Sequence, residues 1–250
     1  MRAYEYLKTF RAALGFLSLA PVGRPEPLTP EQLGRFPAFY PQVGLVLGAG
    51  LFLLGLLAAR WLPPDVTALL VVVGLTAATR GFHLDGLADT GDALFSHRPR
   101  EQKLAILKDS RQGTFGVLAI VLDVVIKIQL LTHLIPIAPW VLLLWPVWGR
   151  LGASAVAVLS PYVGSETGLG RFMVEKSSLR ELGLAALFTL GLSSFFGLAA
   201  LGTAGAAFLF GLFLVPVWRR ALGGVTGDML GASVELTEIF ALSFFYLGNA

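Results

Sequence analysis

The stretch Phe115-Gly-Val-Leu-Ala-Ile-Val-Leu-Asp-Val-Val-Ile-Lys-Ile-Gln-Leu-Leu-Thr-His-Leu134 decides the fold class. A helix needs about 20 predominantly apolar residues to cross the hydrocarbon of a bilayer, and this run supplies them. Its two charges, Asp123 and Lys127, stand one helical turn apart and are expected to form a buried, mainly structural ion pair. Working outward, Val43–Leu62, Ile137–Leu159, Leu182–Leu201 and Thr203–Trp218 read the same way, the last two as a tight pair joined by a turn near Gly202. Val66–Thr79 reaches spanning length only if its helix continues into Gly81–Asp85. Ile239–Leu247 does so only if Glu235 and its neighbours share its helix, and is re-entrant otherwise. The expectation is an all-α polytopic membrane bundle of six or seven transmembrane helices.

Composition agrees. Of 250 residues, 55% are hydrophobic and 14% charged, with a mean hydropathy of +0.73. Soluble domains carry roughly 25% charge, so a soluble globule of this size would lack surface polarity. With no cysteine, disulfides, thiolate metal sites and cysteine nucleophiles are excluded. The 29 glycines suggest close helix packing. The chain reads as one membrane domain, with 1–41 as a cytoplasmic interfacial segment and 42–250 as the bundle. Tyr4–Leu19 has basic residues and a short apolar run, but a poor cleavage pattern followed at once by Pro21, which favours a retained interfacial helix over a signal peptide. A Pro-rich connector, Pro21–Pro41, follows.

Lys and Arg cluster on alternate connectors. Arg2, Lys8, Arg11, Arg24 and Arg35 precede the first span, and Arg80, Arg98, Arg100, Lys103, Lys108 and Arg111 lie between the second and third. Arg171, Lys176 and Arg180 follow the fourth, and Arg219 and Arg220 the sixth. The positive-inside rule places the N-terminus and these loops in the cytoplasm of a multi-pass inner-membrane protein.

Three polar stretches carry the chemistry. In Arg80-Gly-Phe-His-Leu-Asp-Gly-Leu-Ala-Asp-Thr-Gly-Asp-Ala-Leu94, a helix puts Asp85, Asp89 and Asp92 on one narrow face and turns His83 away from it. Such repulsion at a membrane edge calls for a cation between the acids. Mg²⁺ is the natural one, because it binds through one or two carboxylates and substrate phosphates. The second stretch is Arg219-Arg-Ala-Leu-Gly-Gly-Val-Thr-Gly-Asp-Met-Leu-Gly-Ala-Ser-Val-Glu-Leu-Thr-Glu238. It adds Asp228 and Glu235, seven residues apart, as further ligands, and a turn whose Gly224 and Gly227 could offer N–H groups to phosphate. In Lys108-Asp-Ser-Arg-Gln-Gly-Thr-Phe-Gly116, Lys108 and Arg111 are candidate phosphate contacts, as are Arg80 and Arg219. Arg150 reads as an anchor or a diphosphate contact. Asp85, Asp89, Asp92, Asp228 and Glu235 are the metal-ligand candidates, with Asp89 and Asp92 also the catalytic candidates. The whole suits phosphoryl transfer from a diphosphate donor at a membrane surface, with a carboxylate accepting the proton of an attacking hydroxyl. A cation-coupled transporter is a weaker fit, because most acids fall at span ends rather than at midplane.

The blocks Gly81-Phe-His-Leu-Asp-Gly-Leu-Ala-Asp-Thr, Lys108-Asp-Ser-Arg-Gln-Gly-Thr-Phe-Gly and Gly223-Gly-Val-Thr-Gly-Asp-Met-Leu-Gly-Ala resemble the signatures of the cobalamin synthase family, the adenosylcobinamide-GDP ribazoletransferases. The likeness covers nearly the whole chain, including Pro41-Gln-Val-Gly44. It departs at Ala78-Thr-Arg80, where the family has a Gly-rich approach, and at Leu17–Val22. The resemblance implies a Mg²⁺-dependent membrane enzyme that joins adenosylcobinamide-GDP to α-ribazole or its 5′-phosphate and releases GMP, with Asp85, Asp89, Asp92, Asp228 and Glu235 on the family's acidic positions. It implies no nucleic-acid partner and allows a homo-oligomer. The CDP-alcohol phosphotransferases run a parallel reaction with clustered aspartates, but their full motif is not present.

Overall fold

A computed structural model describes residues 2–23, 26–109 and 111–249; Arg24, counted above among the basic N-terminal residues, lies outside them. Twelve helices are described: α1 Arg2–Leu17, α2 Pro30–Leu33, α3 Phe36–Ala58, α4 Pro64–Ala78, α5 Phe82–Phe95, α6 Arg100–Ile106, α7 Thr114–Ile137, α8 Val141–Leu159, α9 Leu169–Glu175, α10 Leu179–Ser194, α11 Leu198–Leu222 and α12 Gly227–Leu247. Among the described residues, the only strand-like pairing is one bridge between Tyr162 and Val225.

Five helices, α3, α7, α8, α11 and α12, are long and apolar enough to cross a membrane, and a sixth span exists if α4 and α5 count as one bent unit. The protein is a multi-pass membrane bundle with five or six spans, the upper figure meeting the lower end of the six or seven expected. One expected span, Leu182–Leu201, is divided. The α10 helix stops at Ser194, the turn falls at Phe195–Gly197 with Gly197 at φ 95°, and Gly202 lies inside α11. The last helix, in contrast, is continuous from Gly227, so Glu235 does share it with Ile239–Leu247.

At the centre stands α8. Of its most apolar stretch 89% is buried, against 22% for α7, whose Val117, Val121, Leu122 and Val125 face outward as a lipid-exposed helix requires. Small residues let partners close on this pillar. A Cβ added to Gly44 of α3 would stand 2.6 Å from the Pro146 carbonyl oxygen of α8, and one on Gly211 of α11 would stand 2.7 Å from Gly152 Cα. Such approach of backbones is how helices associate in lipid, where apolar burial by itself provides no drive.

The N-terminal region packs on this frame. Thr9, Ala13 and Leu17 of α1 are buried against the bundle, and the Leu19 amide donates to the Ala78 carbonyl at 2.8 Å. The helix α3 starts at Phe36, so the expected segment boundary at residue 41 falls within it. Pro37 occupies its first turn, where the missing N–H would have had no helical partner.

The element that positions the acids is the break between α4 and α5. Sequence reading expected helix to run through it. Instead α4 closes with a bond from the Gly81 amide to the Thr76 carbonyl (2.8 Å), Arg80 and Gly81 both adopt left-handed backbone (φ 59° and 67°), and α5 leaves at 89° to α4. The acidic residues therefore ride on a separate helix set at a sharp angle to α4 rather than on its straight continuation.

Candidate active site

The fourteen-residue helix α5 carries Asp85, Asp89 and Asp92 at the expected i, i+4, i+7 spacing. It is held against the first turn of α12. A Cβ on Gly86 would stand 2.5 Å from the Asp228 carbonyl oxygen, and one on Gly231 would stand 3.3 Å from the His83 backbone. Glycine at these crossings brings the two acidic stretches, far apart in sequence, into one electrostatic unit. Asp89 is half-buried, and Asp85, Asp228 and Asp92 all act on it by charge repulsion, while Asp85 acts likewise on Asp228. Asp89 accepts a hydrogen bond from Gln112 Nε2 at 3.2 Å, and Asp228 one from Thr226 Oγ1 at 3.2 Å. Thr226 is also the N-cap of α12, accepting from the Met229 amide.

Asp92 has a different setting from its two neighbours. Its oxygens accept from the Gly113 and Gly116 amides at 2.7 and 2.8 Å, so it caps the N-terminus of α7. This bond ties the loop that carries Lys108 and Gln112 to the acidic helix.

Glu235 requires a correction. Heptad spacing returns it to the face of Asp228, yet it lies 5% exposed among charged groups deep in the bundle and does not join the acidic cluster. Lys127 hydrogen-bonds Glu235 and stands at ion-pair distance from Glu238 (2.9 Å) and Asp123 (3.1 Å); Glu238 also accepts from Arg150 Nη1 at 3.1 Å, and His83 Nδ1 lies 4.0 Å from Glu235. The expected Asp123–Lys127 pair is present and is one edge of a larger network joining α5, α7, α8 and α12. Seven residues return a side chain to the same face but two turns further along, here about 10 Å deeper into the bundle. His83 is buried, as its orientation away from the acids implied.

The basic candidates divide. Lys108 is exposed and lines a cavity that also reaches Thr226, Gly227 and Asp228. Arg111 pairs with Asp109 of its own loop, Nη2 lying 2.6 Å from Oδ2, and these hydrogen bonds lower the Asp109 pKa to about 2. Arg80 Nη2 donates to the Phe16 carbonyl (3.2 Å) and Arg219 Nη2 to the Leu159 carbonyl (3.4 Å), each closing a helix end. The Gly223 amide bonds Arg219, the Val225 amide bonds Pro161, and Gly224 is packed against the Pro161 carbonyl. A Cβ on Gly227 would meet nothing within 4 Å, and this residue faces the cavity.

That cavity, about 400 Å³, follows α12 from Asp228 to Val234 and is walled mostly by apolar side chains, with the 160–168 loop along one side. The sequence reading did not find it, because its wall comes from α1, α3, α5, α8 and α9 together.

The sequence model of the cobalamin-5-phosphate synthase family matches residues 9–246. The chain belongs to that family. Among its relatives, the adenosylcobinamide-GDP ribazoletransferase of Acetivibrio thermocellus is 37% identical over 97% of this chain and 99% of its own. That of Syntrophobacter fumaroxidans is 42% identical, covering 94% and 96%, and that of Klebsiella pneumoniae subsp. pneumoniae 37%, covering 94% and 98%. No solved structure matches the chain. This member of the cobalamin-5-phosphate synthase family is thus a transferase of cobalamin synthesis, and its acidic helix pair is where the three signature stretches converge.

Proposed function

We propose that the chain transfers the cobinamide-phosphate part of adenosylcobinamide-GDP to α-ribazole or its 5′-phosphate and releases GMP, with Mg²⁺, at the cytoplasmic face of the inner membrane. The observation that carries the reading is the meeting of Asp85 and Asp89 with Asp228 at the Gly86 crossing, beside a cavity whose wall includes Asp228.

Among the described residues, no group of three His, Cys, Asp or Glu side chains is arranged to hold a metal ion unaided. This suits Mg²⁺ delivered with a diphosphate, since Mg²⁺ commonly keeps one or two carboxylates and takes its other ligands from phosphate and water. One or two of Asp85, Asp89 and Asp228 would help to hold it, with its other ligands from phosphate and water, and when bound it would neutralise charge on the diphosphate. Glu235, engaged by Lys127, is left out of this set. The chain's own work is to orient and to move one proton. A ribose hydroxyl placed by the cavity attacks the phosphorus that bears the cobinamide, the new O–P bond forms, and the bond to GMP breaks. Asp228, at the cavity end, or Asp89 takes the hydroxyl proton. Asp92 acts as a positioning residue, fixing the α7 loop so that Lys108 reaches the phosphates. Helix α1, with Tyr4 and Leu7 turned outward, rests at the membrane interface.

The test is GMP release by detergent-purified protein given both substrates. Turnover is expected with Mg²⁺, none in excess chelator. Asp85→Asn and Asp228→Asn should each lower kcat by about 100-fold or more, with the protein still monodisperse. Full turnover in chelator would remove the metal, and absence of GMP from the wild type would overturn the reading.

A further inference from the structure

A separate groove of about 470 Å³ lies between α1, α3 and α10 and shares no residue with the active-site cavity. One end of it is basic. Arg35 is the N-cap of α3, and Arg180 stands in the first turn of α10. The rest of the wall follows from these two at helical spacing. Phe39 comes one turn after Arg35, and Leu184, Leu187 and Phe188 come one to two turns after Arg180, so a basic head leads into about 12 Å of apolar wall. Leu187 is 72% exposed, and no other helix of the bundle covers this wall.

Arginines that serve only as anchors extend their heads into water. These two are gathered on one tyrosine instead. Arg180 Nη2 donates to Tyr6 Oη at 2.8 Å, and Arg35 Cζ stands 5.8 Å from the centre of the Tyr6 ring. Among the described residues neither guanidinium has a carboxylate at ion-pair distance. The one acid in the wall, Glu181, is turned to the start of α10, where its Oε2 accepts from the Ser178 amide at 3.0 Å and hydroxyl at 2.6 Å. Two guanidinium groups against one carboxylate leave a surplus of one positive charge, which one phosphodiester would neutralise.

We propose that this groove holds an anionic glycerophospholipid. Its phosphodiester lies between Arg35 and Arg180, and one acyl chain runs along Phe39, Leu184, Leu187 and Phe188. A soluble phosphate would use the basic end and leave the apolar wall bare, whereas a lipid uses both. Basic pockets between helices at the membrane surface hold anionic head groups in this way. A lipid seated here touches α1, α3 and α10 at once and fastens the N-terminal helix to the bundle.

The test is the thermal midpoint of detergent-purified protein titrated with dioleoylphosphatidylglycerol, dioleoylphosphatidylcholine or glycerol 3-phosphate. No substrate is present, so the result does not depend on the transfer reaction. Phosphatidylglycerol should raise the midpoint saturably, and the other two should not at the same concentrations. Arg35→Gln combined with Arg180→Gln should move the half-saturating lipid concentration up roughly tenfold or more. Should the double variant fold poorly, either single one moves it less, in the same direction. Arg98→Gln combined with Lys103→Gln removes the same charge from α6, outside the groove, and should leave the titration unchanged. A wild type that does not respond to phosphatidylglycerol would overturn the proposal. So would equal stabilisation by phosphatidylcholine or by glycerol 3-phosphate, or a response lost as fully in the α6 variant as in the groove variant.

Discussion

Lys127 is the residue on which the buried charges depend. It is 2% exposed, and Asp123, Glu235 and Glu238 all direct an oxygen at it. Replacement by Met would leave three carboxylates without their common cation. Removing one partner of a buried ion pair costs about 3–5 kcal/mol, so Lys127→Met should lower the thermal midpoint in detergent markedly, and adding Glu235→Gln should recover part of the loss. An unchanged midpoint would show that the network contributes nothing to stability. The sequence announced its acids clearly, since Asp85, Asp89, Asp92 and Asp228 stand out in a chain that is only 14% charged. It could not announce their partners. Periodicity tells which way a side chain points and not which helix it meets, so Glu235 was read with Asp228 although Lys127 and Arg150, on two other helices, surround it. A single Arg inside the apolar α8 was the one signal that a buried acid had to exist opposite it.

Among the elements, the α5–α12 crossing is the one on which the active site turns. Gly86 sets the approach, since even a methyl group there would press on the Asp228 backbone. Gly86→Leu should push the helices apart and lower kcat by about 100-fold, the usual penalty for misplacing reacting groups by an ångström, while Gly86→Ala should give a smaller loss. Wild-type kcat in Gly86→Leu would mean that the two acidic stretches need not touch. Most helices were legible from hydropathy alone, because long apolar runs have no other stable form in lipid. The 89° turn at Thr79–Gly81 was not. One glycine beside Arg80 is a weak stop signal, and the turn is held by partners far away in sequence, the Phe16 carbonyl of α1 accepting from Arg80 and the Leu19 amide just beyond α1 donating to Ala78. The displaced α10–α11 turn has a similar origin, with Gly197 rather than Gly202 taking the backbone that no other residue type favours.

For the whole molecule, the reading requires one orientation. With the acidic helix, the α6 region and the 160–168 loop on the cytoplasmic side, the α3–α4 connector faces outward. The absence of cysteine makes this easy to probe. In intact cells an impermeant thiol reagent should label Trp61→Cys, at a position 86% exposed in that connector, and should label Glu101→Cys of α6 only after the inner face is opened. The reverse pattern would invert the proposed topology. Basic residues on alternate loops are the basis of this proposed orientation; the central place of α8 had no such signal, because its glycines, one Arg and even apolar coat describe a span without saying that other spans enclose it.

The charge network also bears on how the chain is made. Helix α7 leaves the ribosome with Asp123 and Lys127 already adjacent, a near-neutral pair that can enter lipid as a unit. Glu235 and Glu238 arrive 108 or more residues later on the last helix, with no cation of their own nearby. That helix has no comfortable residence in the bilayer until it docks on α7 and α8. This helix must therefore pass from the insertion machinery directly to its neighbours, and its docking is the step that brings Asp228 to the acidic helix.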